Sequence, residues 1–143
     1  MAKLLKDPKS RLIYIKLCAA SKTDGPTSVA TFASDEALDS TVRIEAIRTL
    51  GILGRDYNLK SLIELYQPKN PLALECIKPI GLILPTGGKV EGPGKDAIEF
   101  LQKILLDDQA SDDQRIEAIR ALTGNRAGTQ WLLDALQKDE LLS

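Results

Sequence analysis

A glycine-rich stretch that ends in Gly94-Lys95 before a probable helix has the outline of a phosphate-binding loop. The match fails at two positions. Lys89 stands where that loop needs its first glycine, and Asp96 replaces the serine or threonine that would hold magnesium. The sequence therefore predicts a flexible Gly/Pro loop between helices over residues 85–94. Because long loops often carry binding residues, Lys89 and Lys95 are kept as candidates for an interaction surface.

A basic side chain recurs once in each of four similar segments of the chain. These residues, called here the basic column, are Lys16, Arg48, Lys78 and Arg120. In an array of repeats, equivalent positions line up, and the column would then form a ladder for phosphate or carboxylate groups. The alternative is pairing along each helix, since Glu45 and Glu117 stand three residues before a column residue. Such glutamates would largely cancel a positive stripe, and we favour pairing.

Other catalytic chemistry has few candidate residues. The chain of 143 residues has no histidine, which removes the commonest general base and metal ligand. Its two cysteines, Cys18 and Cys76, form no Cys-x-x-Cys pair and fall on apolar positions, where we expect core packing. The 19 basic and 20 acidic residues leave a net charge of −1, which argues against nucleic acid as a partner. We predict no catalytic, cofactor-binding or metal-binding residue.

An internal repeat indicates which elements position these residues. The run Arg-Ile-Glu-Ala-Ile-Arg at 43–48 recurs unchanged at 115–120, and segments around Ile15 and Ile77 fit the same frame. Aligned on Ile15, Ile47, Ile77 and Ile119, the copies are 32, 30 and 42 residues apart, which is the range of helical solenoids. An apolar stripe at helical spacing follows each copy, as at Leu59, Leu62, Ile63 and Tyr66.

The sequence therefore predicts an all-α single domain, 1–143, that is an α-solenoid of about four antiparallel helix pairs. The units span about 8–39, 40–69, 70–109 and 110–143. The first helix of each pair is apolar over a wide arc, so Ile47 and Ile119 are both expected to face a shared interior. Gly51, Gly54, Gly81 and Gly124 are expected to end first helices. Pro79 is expected to kink the third or to end it early.

These segments resemble HEAT repeats, especially the short kind related to phycobilisome-lyase repeats. Those first helices often read Val-Arg-x-x-Ala-x-x-x-Leu-Gly, which residues 42–51 fit in full and residues 115–122 fit without the leading valine. The tail from Ala118 to Leu136 is also similar to HEAT segments of large planctomycete proteins that carry a dehydrogenase-like propeller and a haem-binding domain. The haem motif Cys-x-x-Cys-His is absent from this chain, so no haem role follows.

The resemblance implies a fold more than a function, because HEAT arrays bind many unrelated partners. We expect a non-enzymatic scaffold that binds a protein partner or other domains of its parent polypeptide. Two alternatives remain: a lyase or chaperone for a bilin chromophore, and binding of a nucleic-acid backbone through the basic column.

The last residues are rich in leucine for a terminal repeat, including Leu132, Leu133, Leu136, Leu141 and Leu142. We expect either a natural continuation beyond Ser143 or a contact there, such as a homodimer. No signal-like opening and no apolar run of membrane-spanning length occurs in the chain, so we expect no membrane partner. The compartment stays open, and an exported parent protein fits the planctomycete resemblance.

Overall fold

The computed structural model describes residues 6–25, 27–84 and 92–138, and over these ranges it is helical with no strand. A short 3-10 helix, Gly81–Ile83, directly follows the fifth α-helix. The α-helices of the described ranges are α1 Pro8–Ser21, α2 Val29–Ser34, α3 Ser40–Leu53, α4 Asp56–Leu65, α5 Ala73–Ile80, α6 Gly92–Leu106, α7 Asp112–Thr123 and α8 Arg126–Gln137. The predicted all-α class is confirmed.

The first helices contact one another in chain order: α1 contacts α3, α3 contacts α5, and α5 contacts α7. The second helices pack beside them, since α2 lies on α3, α4 on α3 and α5, and α6 on α7. The core lies between these helices and is built mainly from aliphatic side chains. Four of its fully buried members, one from each first helix, are Ile15, Leu50, Ile77 and Leu122. Burying such a side chain contributes about 1.5–3 kcal/mol.

Small residues let successive first helices approach closely. A Cβ placed on Gly51 of α3 would lie 2.4 Å from Cβ of Pro79 in α5, which no real structure tolerates. The contact recurs at the next interface, where a Cβ on Gly81 would lie 3.2 Å from Cβ of Ala121 in α7. Gly51 and Gly81 are 30 residues apart and Pro79 and Ala121 are 42 apart, which are the steps of the repeat. The same two repeat positions therefore meet at both interfaces.

Of the two glycines predicted to end the first helix of the second unit, Gly54 was right and Gly51 was wrong. Helix α3 continues to Leu53, and Gly54, with φ of 65°, is the residue that ends it. Gly51 is a glycine because Pro79 leaves no room for a side chain. The other two predictions held, since Gly81 and Gly124 follow the last residues of α5 and α7.

Two further boundaries follow from local chemistry. Helix α5 ends at Ile80, one residue after Pro79, as the missing N–H of proline predicts. Helix α6 begins at Gly92, inside the range 85–94 that was predicted as a loop. Residues 85–91 lie outside the described ranges.

The expectation for the two equivalent isoleucines was half wrong. Ile47 is 1% exposed, whereas Ile119 is 39% exposed. Ile47 lies on α3, which α5 covers, but within the described residues no further first helix follows α7. The mirror case occurs on α1, where Leu17 is 63% exposed while its equivalent Thr49, 32 residues later, is fully buried. In the row formed by α1, α3, α5 and α7, the first and last helices thus expose a repeat position that an adjacent first helix covers elsewhere.

The arginine that opens the repeated run at 43–48 and 115–120 has a structural role in both copies. Arg43 Nε donates a hydrogen bond to the carbonyl oxygen of Ala33, in the last turn of α2, at 3.1 Å. Its equivalent, Arg115, donates from Nη2 to the carbonyl oxygen of Asp107, directly after α6, at 2.8 Å. Carbonyl groups at a helix end lack partners within the helix. The arginine therefore joins a first helix to the end of the preceding second helix.

Gln114 joins the segment after α4 to the start of α7. Its Oε1 accepts from the Tyr66 hydroxyl at 3.0 Å, and its Nε2 donates to the carbonyl oxygen of Pro68 at 2.9 Å. It also completes the capping box of α7, because Oε1 accepts from the Ser111 N–H and Ser111 Oγ accepts from the Gln114 N–H. Gln114 is buried, and its bond with the Tyr66 hydroxyl is buried too, whereas the bonds with Pro68 and Ser111 are part-buried.

Candidate interaction surface

Three residues of the basic column form ion pairs with a glutamate three residues earlier on the same helix. Because the basic side chains are largely exposed, such pairs contribute only a few tenths of a kcal/mol each. The pairs are Glu45 Oε2 with Arg48 Nη1 at 3.9 Å, Glu75 Oε1 with Lys78 Nζ at 3.3 Å and Glu117 Oε2 with Arg120 Nη1 at 3.5 Å. The favoured interpretation, pairing along each helix, agrees with this geometry.

The remaining candidate residues are in different surroundings. Ile13 takes the place of the glutamate in the first unit, and Lys16 has no ion pair within 4.0 Å among the described residues. Lys95 lies on α6, away from the first helices, with Nζ 4.0 Å from Oε1 of Glu99. Lys89 falls within 85–91 and lies outside the described residues. Among the five described candidates, Lys16 and Lys95 therefore differ in their surroundings from Arg48, Lys78 and Arg120.

Two members of the basic column do line a common depression. It lies between α3 and α5, has a volume of about 240 Å³, and includes both Arg48 and Lys78. Its apolar part is formed by Ile44, Pro79 and Leu82. Since Glu45 and Glu75 already pair with the two bases, this depression has a mixed charge rather than a positive one.

A larger depression on the second helices was not foreseen from the sequence. This feature, called here the α4–α6 groove, has a volume of about 630 Å³. Its apolar lining comes from Leu59 and Ile63 of α4 and from Phe100 of α6. The ring of Phe100 is held edge-on against Tyr66, with centroids 5.4 Å apart. The groove therefore has a partly ordered aromatic wall, which favours contact with apolar side chains.

Charged residues surround that apolar lining, and the acids outnumber the bases. The lysines of the groove are Lys60 and Lys103. The carboxylates are Asp56 and Glu64 on α4 and Asp96 and Glu99 on α6. Four acids against two bases give the groove a local charge of −2. Glu64 also lines a second depression, of about 380 Å³, between α2 and α4, so the two depressions adjoin.

One sequence signal for this groove existed. Asp56, Lys60 and Glu64 recur every four residues and so share one exposed side of α4, beside the apolar stripe that contains Leu59 and Ile63. The stripe alone predicted burial against a neighbouring helix. It did not predict that Ile63 stays only half-buried, because that depends on how far α6 is from α4.

Both cysteines are core residues, as predicted. Cys18 is 5% exposed and Cys76 is 1% exposed. Burial raises the pKa of the Cys76 thiol to about 12, which keeps it protonated at neutral pH. A thiol in this state is a poor nucleophile and a poor metal ligand.

Within residues 6–25, 27–84 and 92–138, no three cysteine, aspartate or glutamate side chains are grouped closely enough to hold a metal ion. Over the same part of the chain, no helix combines the length and apolar character needed to cross a membrane. No protein-family model, no curated protein and no solved structure matches this chain significantly.

Proposed function

We propose that this chain is a non-enzymatic helical-repeat protein of the HEAT type, a solenoid of four helix pairs, that binds a protein partner or another domain of its own polypeptide. The serial contacts of α1, α3, α5 and α7 support stacked units. So does the recurrence of one close contact, Gly51 with Pro79 and Gly81 with Ala121. In such arrays, each repeat buries its apolar side chains against its neighbours, and the remaining surface is available for binding.

The α4–α6 groove is the observation that carries this proposal. Protein interfaces combine an apolar centre with a polar rim. The groove has this composition, with Ile63 and Phe100 half-buried among charged side chains. Its volume of about 630 Å³ accommodates several side chains of a partner segment. We therefore place the docking surface on the second helices.

The basic column supports nucleic-acid binding less well. Arg48, Lys78 and Arg120 each have a glutamate within 4.0 Å. A phosphate would have to displace these carboxylates or approach beside them, and like charges repel.

Selection of peptides from a random phage-displayed library against the immobilised chain tests the proposal. We expect enriched peptides to bind wild type and to lose about tenfold in affinity to an Ile63→Arg variant, because the arginine fills the apolar part of the groove. Ile44→Arg is the matched control, since Ile44 is equally half-buried but lines the α3–α5 depression. We expect it to bind the same peptides as wild type does.

Chemical-shift mapping on the wild-type chain gives a second readout that no folding defect can disturb. With the same peptides, the largest amide shifts are expected in α4 and α6. The proposal is wrong if no peptide of the library binds, or if the shifts cluster elsewhere and Ile63→Arg leaves the affinity unchanged.

A further inference from the structure

The charge of the α4–α6 groove differs from that of the chain as a whole. Four carboxylates and two lysines line it, for a local charge of −2, while the net charge of all 143 residues is only −1. Charges gathered along one depression act on a ligand together, and this strengthens their local field. The carboxylates along this depression therefore outnumber its lysines, and Lys95 is a further base beside Glu99.

Most of these carboxylates are not neutralised within the protein. Glu99 has one ion pair, with Lys95 at the limiting distance of 4.0 Å. Among the described residues, the carboxylates of Asp56, Glu64 and Asp96 have no basic group within 4.0 Å. This differs from the first helices, where Glu45, Glu75 and Glu117 each have a basic partner. The acceptors of the groove therefore remain available to cations from outside.

The spacing of the acids defines the ligand further. Asp56 and Glu64 are eight residues apart on α4, which corresponds to roughly 12 Å along the helix axis. Between them, Leu59 and Ile63 supply the apolar contact. A segment that satisfies both features needs a run of apolar side chains flanked by lysine or arginine over about two helical turns.

We propose that the α4–α6 groove binds a basic amphipathic helix, with its apolar face on Leu59, Ile63 and Phe100 and its cations beside Asp56, Glu64 and Asp96. This inference rests on the proposed function, because it names the chemistry of the partner that docks there. An acidic peptide or a nucleic-acid phosphate would meet the same carboxylates with like charge and would be repelled.

Two synthetic helical peptides of about 14 residues, or roughly four turns, test the proposal. Both carry leucine at three- and four-residue spacing, and their remaining charged positions are lysine in one and glutamate in the other. By fluorescence anisotropy at low salt, we expect the lysine peptide to bind about tenfold more tightly or better. The advantage should shrink as salt is added, because the groove is open to solvent.

Charge reversal at the groove supplies the matched comparison. In the double variant Glu64→Lys/Asp96→Lys we expect the affinity for the lysine peptide to fall about tenfold. The control variant Glu36→Lys/Asp108→Lys changes the net charge by the same amount at exposed carboxylates that do not line the groove. Its affinity for the lysine peptide should fall less than twofold. All four positions are exposed, so both variants are expected to fold.

Two results would overturn the proposal: equal or tighter binding of the glutamate peptide, or an equal loss of affinity in the control variant. Neither result would contradict the proposed function. That proposal is contradicted by a different result, in which Ile63→Arg leaves the binding of every selected peptide unchanged. If the groove bound apolar segments regardless of their charge, Ile63→Arg would lower the affinity for both peptides equally.

Discussion

At the scale of single residues, the buried polar groups of this chain serve structure. Gln114 uses its amide to hold Tyr66 and Pro68 from a segment 46 to 48 residues earlier, as well as its own N-terminal cap. Arg43 and Arg115 each hold a carbonyl at the end of a second helix.

Replacing Gln114 by alanine is expected to lower the free energy of unfolding by about 1–3 kcal/mol, because it leaves the buried Tyr66 hydroxyl and Pro68 carbonyl without partners. Urea denaturation measures the change. Gln109→Ala is the control, since Gln109 is exposed and should shift the result by no more than about 0.5 kcal/mol. Equal effects in the two variants would contradict the assigned role of Gln114.

The Cys76 thiol gives the fold a dependence on alkaline pH. Its pKa is about 12 in the folded chain and 9.0 as the ordinary value, so the unfolded chain loses the proton first. The folded chain therefore keeps its full stability below pH 9 and loses stability as pH rises from 9 toward 12, by roughly 1 kcal/mol per pH unit. Burial also raises the pKa of Tyr14 and Tyr66, which adds to the loss at high pH.

Denaturation curves recorded from pH 8 to pH 11 should show this fall, and Cys76→Ala should show a shallower one. Alanine suits the site because Ala46 and Ala118 occupy the equivalent positions of other repeats and are buried there. A slope identical to that of wild type would show that Cys76 is not its source.

At the scale of helices, the close contact between α3 and α5 determines how tightly the row is built. Gly51→Ala places a methyl group 2.4 Å from Cβ of Pro79 and 2.6 Å from its carbonyl oxygen, so one helix must move. We expect a loss of about 1–3 kcal/mol in the free energy of unfolding.

Gly124→Ala is the matched control for that prediction. Its φ of −73° suits alanine, and the nearest atom to an added Cβ is 3.4 Å away, so we expect no loss or a gain of about 0.4–1 kcal/mol. Thermal unfolding of the two variants side by side distinguishes them. Equal stability would mean that α3 and α5 separate at no cost.

The helical class and the ends of α3, α5 and α7 followed from the sequence because they depend on local chemistry. Pro79 acts within a few residues, and α5 ends next to it as predicted. Gly51 was misread because its reason lies 28 residues away at Pro79. The α4–α6 groove was missed for the same reason, since the half-burial of Ile63 depends on the position of α6.

At the scale of the whole molecule, one repeat position has two different environments. Ile47 is buried between α3 and its neighbours, whereas Ile119 is 39% exposed on the last first helix of the described residues. Exposed apolar side chains such as Ile116 and Leu136 lie nearby in the chain, on α7 and α8. Position within the row, rather than residue type, therefore determines the contribution to stability.

A pair of lysine substitutions tests this dependence on position. Ile47→Lys buries a charge without a partner and is expected to cost about 3 kcal/mol or more, which would leave little folded chain. Ile119→Lys should stay within about 1 kcal/mol of wild type, because its ammonium group reaches water. Circular dichroism during heating measures both. A large loss in Ile119→Lys would show that another molecule or segment covers that face.

The close contacts of Gly51 with Pro79 and of Gly81 with Ala121 also limit how copies of this chain can join end to end. A second molecule added to α7 in the register of the existing interfaces would set its Leu17 against Thr123, where the interior has Pro79 against Gly51 or Ala121 against Gly81. Leucine and threonine side chains do not fit a space shaped for glycine. We therefore do not expect copies of this chain to extend the row in this register, although aliphatic groups are exposed on α1 and α7.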